Sequence, residues 1–137
     1  MVLAGILMAN MAAHAGCRLQ ALVPHGSEAR VGALPLKLGD ADDAIAPQAW
    51  QGPLVAGKCT LDIGIIERPL MLAPGNLLYV PTYSGSLRKL MLVDLAHCAI
   101  RWQSAAFSGR LTIDAQQLHL GETHIALDAR CLPINKK

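Results

Sequence analysis

From Cys59 onward apolar and polar residues alternate with a period close to two, the spacing of strands that bury one face. Cys59, Leu61, Ile63 and Ile65 fall on one side, with Thr60 and Asp62 on the other. The same pattern predicts strands over 77–80, 87–95, 99–103, 111–114, 117–120 and 124–131, divided by Gly, Ser, Asp or Asn turn chemistry. Ile100 and Trp102 alternate with Arg101 and Gln103, and Ile125, Leu127 and Ala129 alternate with Ala126, Asp128 and Arg130. Connections this short join antiparallel neighbours. The expected fold is all-β, an antiparallel meander that is sandwich-like or propeller-blade-like.

The first half has a different texture. Pro24, Pro35, Pro47 and Pro53 are interspersed with Gly26, Gly32, Gly39, Gly52 and Gly57, which leaves room for short edge strands and loops. Residues 31–38 alternate in part. Asp40-Ala41-Asp42-Asp43 reads as a turn or as the start of a short helix over 44–50. No linker or low-complexity tract divides the chain, so residues 16–137 are read as a single β-rich domain.

Residues 1–15 carry no charged side chain and close in Ala13-His14-Ala15, small residues at the places a signal peptidase reads. They are read as a signal peptide, which puts the mature chain in an exported, periplasmic location. No Lys or Arg precedes the apolar run, and the first charge is Arg18. Two alternatives stay open: an apolar element retained in the fold, and lipid attachment at Cys17, since Ala15-Gly16-Cys17 supplies the end of a lipobox. A transmembrane span is not expected, because a spanning helix needs ~20 apolar residues.

All four cysteines follow that leader, which fits an oxidising compartment. Cys17 is in step with Leu19 and Ala21, Cys98 with Ile100 and Trp102, and Cys131 with Ile125, Leu127 and Ala129. All four are therefore expected to point inward and to form disulfides. Sequence allows three connectivities. Proximity within the C-terminal sheet favours Cys98 with Cys131, leaving Cys17 with Cys59. No two cysteines have the close spacing of a zinc site.

Composition narrows the picture further. Hydrophobic residues make up 53% of the chain and charged residues 16%, which excludes a disordered protein. Aromatic residues are only 4%, so the core must be aliphatic. The net charge is +2 and the basic residues are scattered, with only Arg88-Lys89 and Lys136-Lys137 adjacent. That is not the basic patch of a nucleic-acid binder.

Chemistry-bearing motifs are sparse. No nucleophile elbow, glycine-rich phosphate loop, metalloprotease helix motif or calcium loop occurs, and no cofactor is implied. His97 and Cys98 are sequence neighbours, but adjacent strand residues point to opposite faces and make a poor dyad. If Gly121-Glu122 forms a two-residue hairpin turn, His119 stands opposite His124 with Glu122 nearby. Two imidazoles are an incomplete metal site, and a solvated cross-strand pair is the simpler reading. His25 reads as a turn residue. A hydrolase would need His25, His97 or the His119 and His124 pair to meet a nucleophile through folding. No enzymatic activity is therefore expected. An envelope-binding module would instead use the outer sheet face, with Arg101, Gln103, Thr112, Asp128 and Arg130.

Residues 76–104 resemble one blade of a quinoprotein-type β-propeller: Leu78-Tyr79-Val80-Pro81-Thr82-Tyr83-Ser84-Gly85-Ser86-Leu87, then Leu90 to Asp94-Leu95, then Ile100-Arg101-Trp102. The likeness occurs once, where a propeller needs several blades, so it implies a meander sheet and not quinone binding. In profile, as a small, exported, disulfide-bearing β protein, the chain also resembles the periplasmic immunity proteins that protect bacteria from type VI secretion peptidoglycan amidases. That resemblance implies inhibition by occlusion, with a protruding loop entering the amidase cleft. The candidate segment is 81–89, where Thr82, Tyr83, Ser84, Ser86 and Arg88 would contact the partner. A plain hairpin connection is the alternative for the same segment.

Overall fold

The computed structural model describes residues 16–134, so the expected leader at 1–15 and Lys136-Lys137 lie outside the described residues. Among the described residues there are strands and no helix: β1 (Gln20–Leu22), β2 (Glu28–Val31), β3 (Leu34–Lys37), β4 (Ala49–Trp50), β5 (Leu54–Ala56), β6 (Cys59–Leu61), β7 (Ile65–Glu67), β8 (Leu70–Ala73), β9 (Leu77–Ser84), β10 (Leu87–Asp94), β11 (Ala99–Gln103), β12 (Leu111–Ile113), β13 (Gln117–Leu120) and β14 (Thr123–Ala126). Every pairing is antiparallel.

They form three sheets. The central one has the order β1-β8-β9-β10-β11, and β7 joins the far end of β9 while β4 pairs with β7. Strands β8 to β11 are thus a meander of consecutive neighbours. A second sheet has the order β2-β3-β5-β6 and a third β12-β13-β14. Side-chain alternation along β9 explains how they stack. Leu78 and Val80 join a core with Val31, Leu36, Trp50 and Leu54 of the N-terminal half. Leu77 and Tyr79 face the other way, into a core with Leu118, Leu120 and Leu127. Strand β10 divides likewise, with Val93 in the first core and Leu90 and Leu92 in the second. A strand between two layers must be apolar on both faces, which is why 77–80 reads as a continuous apolar run.

Turn chemistry sets the corners. The alternation of 59–65 predicts one strand, yet the chain breaks at Gly64, with φ of 89°, and passes from the N-terminal sheet into the central sheet. A Cβ on Gly64 would stand 2.9 Å from the carbonyl oxygen of Tyr83, so this close approach of β7 to β9 requires glycine. The alternative of a helix over 44–50 is not realised. Asp42 folds that segment into a loop: its carboxylate accepts the amides of Gln48 and Ala49 at 2.9 and 3.2 Å, and its own amide donates to the Ala49 carbonyl at 3.0 Å. Pro47 has no amide hydrogen to donate and would interrupt such a helix.

The four cysteines form two disulfides, but the expected pairing is wrong. Cys17 bonds Cys131 and Cys59 bonds Cys98. Cys98 and Cys131 lie in different layers, because β11 ends the central sheet before the chain crosses to the third. Cys59–Cys98 ties the N-terminal sheet to the β10–β11 turn, and Cys17–Cys131 ties the segment after β14 to the start of the central sheet. The phase argument also fails in part. Strand β14 ends at Ala126, Ala129 is exposed, and Cys131 reaches the core through a turn with φ of 67°. Cys98 is exposed, with φ of 53°, and Ile100 is 41% exposed. The register shift between Leu92 and Val93 separates the phase of β11 from that of the core.

Candidate functional site

The β9–β10 hairpin carries the residues expected to enter an amidase cleft, Thr82, Tyr83, Ser84, Ser86 and Arg88, whereas Arg101, Gln103, Thr112, Asp128 and Arg130 of the envelope-module alternative lie outside it. Its strands pair over eight positions, from Leu77 with Asp94 to Ser84 with Leu87, and Gly85-Ser86 alone makes the turn. Gly85 has φ of 63°, the conformation a two-residue hairpin turn demands at its first central place. Segment 81–89 is therefore strand, turn and strand, not the protruding loop that the resemblance implied. The length of the apolar pairing explains this: Pro81 and Thr82 are buried and keep the ladder running past Val80.

Flanking contacts hold the hairpin close to its tip. On one side β7 pairs Ile65 with Tyr83 and Ile66 with Thr82. On the other, Phe107 bridges to Arg88, its amide donating to the Arg88 carbonyl at 3.0 Å. Only Ser84, Gly85, Ser86 and Leu87 extend beyond these neighbours. The Arg88 guanidinium pairs with Glu67 at 3.2 Å, lies 5.0 Å from the centre of the Phe107 ring and donates to the Gly109 carbonyl. It splints the ribbon from below.

These positions divide the expected contact residues. Thr82 is only 3% exposed, and its hydroxyl donates to the Lys89 carbonyl at 3.2 Å, so it supports the hairpin from inside. Arg88 is committed to the splint. Tyr83 is half-buried, while Ser84 and Ser86 are exposed at the tip. The structure adds Leu87, 58% exposed, which the sequence pattern assigned to the apolar start of β10. A solvent-facing leucine beside a tight turn is the apolar element of this tip.

The four described histidines occupy three separate settings. His119 stands opposite His124 as expected, with ring centroids 4.6 Å apart in an edge arrangement, and Gly121 has φ of 63° in the intervening turn. Asp114 approaches His119 Nε2 at 3.5 Å. Its carboxylate is chiefly a turn cap, accepting the amides of Gln116 and Gln117 at 2.8 Å each, and these bonds hold its pKa below the usual carboxylate value. Among the described residues no group of three or more His, Cys, Asp or Glu is arranged to hold a metal. His25 bridges to Glu28 in a turn. His97 donates through Nδ1 to Asp94 Oδ2 at 2.9 Å, and no cysteine of the described chain is free to pair with it.

Asp94, at the end of the hairpin opposite the tip, is a polar centre that the sequence pattern did not single out. It is 3% exposed and accepts four hydrogen bonds: the amides of Ala96 and His97 at 3.1 and 3.0 Å, His97 Nδ1, and Arg101 at 2.8 Å. Burial pushes its pKa up, but the His97 side-chain and backbone bonds more than offset that and leave it lowered. The spacing of Asp94 before a turn and Arg101 in the next strand was the available signal. Comparison with known proteins finds no matching family model, curated protein or solved structure.

Proposed function

We propose that this chain is an exported, non-catalytic binding protein that acts by occlusion, placing the β9–β10 tip into the concave site of a protein partner. The observation that carries the reading is the tip itself: four residues, including exposed Leu87, project from a ribbon whose remaining length is core strand. A contact element already fixed in its bound shape loses little conformational freedom on association. A two-residue turn is also narrow enough to enter an enzyme cleft. The two disulfides are consistent with a mature protein in an oxidising compartment such as the periplasm. The profile resemblance to immunity proteins supplies the partner class, a cell-wall-degrading hydrolase of the peptidoglycan amidase kind. In that role Ser84 and Ser86 offer hydroxyls to the cleft, Leu87 and Tyr83 supply the apolar anchor, and Thr82 and Arg88 keep the tip in register.

The test is inhibition. The disulfide-intact protein is titrated against purified peptidoglycan amidases of the type VI secretion class, and release of peptidoglycan fragments is measured. Stoichiometric inhibition is expected, with Leu87→Asp weakening it at least tenfold at unchanged melting temperature, as burying a charge in an interface demands. Inhibition of none of them, or equal inhibition by the Leu87→Asp variant, would count against the reading.

A further inference from the structure

The far end of the hairpin holds a second feature that the occlusion reading does not use. Eight paired residues at ~3.3 Å each set it roughly 23 Å from the tip. There the β8–β9 turn, the β10–β11 turn and the segment after β14 border a solvent-open cavity of about 330 Å³. Its lining has two chemistries. Pro74, Leu77 and Leu132 are apolar, and Asp94, His97, Arg101 and Arg130 bring charged or ionisable groups. From these groups we infer that the cavity is a binding site for a small organic anion, a carboxylate with an apolar body.

Asp94 prepares the site instead of competing for the ligand. Asp94 lines the cavity, but all four of its hydrogen bonds come from Ala96, His97 and Arg101 and its side chain is 5% exposed, so its accepting capacity is used within the protein. Holding one Arg101 nitrogen fixes the guanidinium plane and leaves its other donors free for a planar carboxylate. Holding His97 at Nδ1 leaves Nε2 as the outward ring nitrogen. Arg130 forms no ion pair among the described residues. It is exposed, and its backbone is fixed: Asp128 accepts the amides of Arg130 and Leu132 at 2.8 and 2.9 Å, and Cys131 between them is anchored by its disulfide and by the hydroxyl of Tyr79 on its carbonyl. With one acid and two arginines, the lining carries net positive charge even with His97 neutral. The volume lies at the lower end of small-molecule pockets, which run from ~300 Å³, and so suits a compact ligand.

Benzoate, its neutral isostere benzamide, and phenyl phosphate are suitable probes, followed by amide chemical shifts of the full disulfide-bonded chain. Benzoate is expected to give saturable shifts at Gly75, His97, Arg101 and Leu132, with benzamide giving none. Arg130→Gln is expected to weaken benzoate at least tenfold while the spectrum elsewhere stays unchanged; Arg101→Lys, which keeps charge but loses the fork, should weaken it too. Benzoate shifts that do not saturate, or that persist equally in Arg130→Gln, would overturn the site. Tighter binding of phenyl phosphate than of benzoate would overturn the carboxylate assignment and identify a phosphate monoester as the ligand.

Discussion

Asp94 shows how one side chain organises a region of this protein, and its chemistry makes a pH prediction. Its pKa is lowered, as are those of Asp42, through the amides of Gln48 and Ala49, and Asp114, through those of Gln116 and Gln117. A carboxyl depressed in the folded state contributes stability that is complete above its unfolded pKa, ~4, and is lost as pH falls through the folded value. Stability is therefore expected to fall with acidification below about pH 4. Asp94→Asn should lower the urea midpoint at pH 7, and its deficit relative to the parent should shrink as the pH is taken from 4 towards 2. A deficit independent of pH would show that the carboxylate charge is not what matters there. At this scale the sequence was informative where partners are local: the opposition of His119 and His124 follows from a two-residue turn alone. Asp94 and Arg130 were not legible as neighbours, because what joins them is the packing of the third sheet on the central one.

The β9–β10 hairpin is the element on which the cores and both candidate sites depend. Its strands were readable because period-two alternation and the Gly85-Ser86 turn act over short distances. Its full length was not, since Pro81 to Ser84 lack a strong apolar pattern and are held by β7, a long-range partner. The corner at Gly64 makes that pairing possible. Replacing a left-handed glycine by alanine costs ~1–2 kcal/mol from backbone conformation alone. Gly75→Ala, where φ is 83° and nothing lies near the added Cβ, should cost only that. Gly64→Ala should cost clearly more, because its Cβ meets the Tyr83 carbonyl at 2.9 Å. Chemical denaturation of the two variants checks this, and equal losses would mean that β7 can move away from β9 cheaply.

For the whole molecule, the expected all-β antiparallel architecture with disulfides is present, and it is built as three sheets with the meander β8 to β11 in the central one. Layer number is invisible to alternation, which reports that a face is buried and not what buries it. The cysteine pairing failed for the same reason: the expectation of Cys98 with Cys131 assumed one C-terminal sheet, whereas β11 and β14 belong to different ones. In the chain-entropy model a separation of 39 residues for Cys59–Cys98 and 114 for Cys17–Cys131 corresponds to about 4 and about 5 kcal/mol of stabilisation. Double serine variants should follow that order, with Cys17→Ser/Cys131→Ser the less stable because Cys131 is also fully buried in the second core. Thermal melts under matched conditions read the order directly, and the reverse order would mean that strain or unfolded-state structure outweighs loop length.

The most direct measurement of the central claim, the proposed occlusion of a hydrolase by the hairpin tip, is hydrogen exchange on the protein alone and mixed with a peptidoglycan amidase that it inhibits. Occlusion by the hairpin predicts new protection concentrated at Ser84 to Leu87, with the amides around Asp94 and Arg130 unchanged. Protection confined to the Arg101 and Arg130 end, or to the β11 edge, with the tip still exchanging freely, would contradict it.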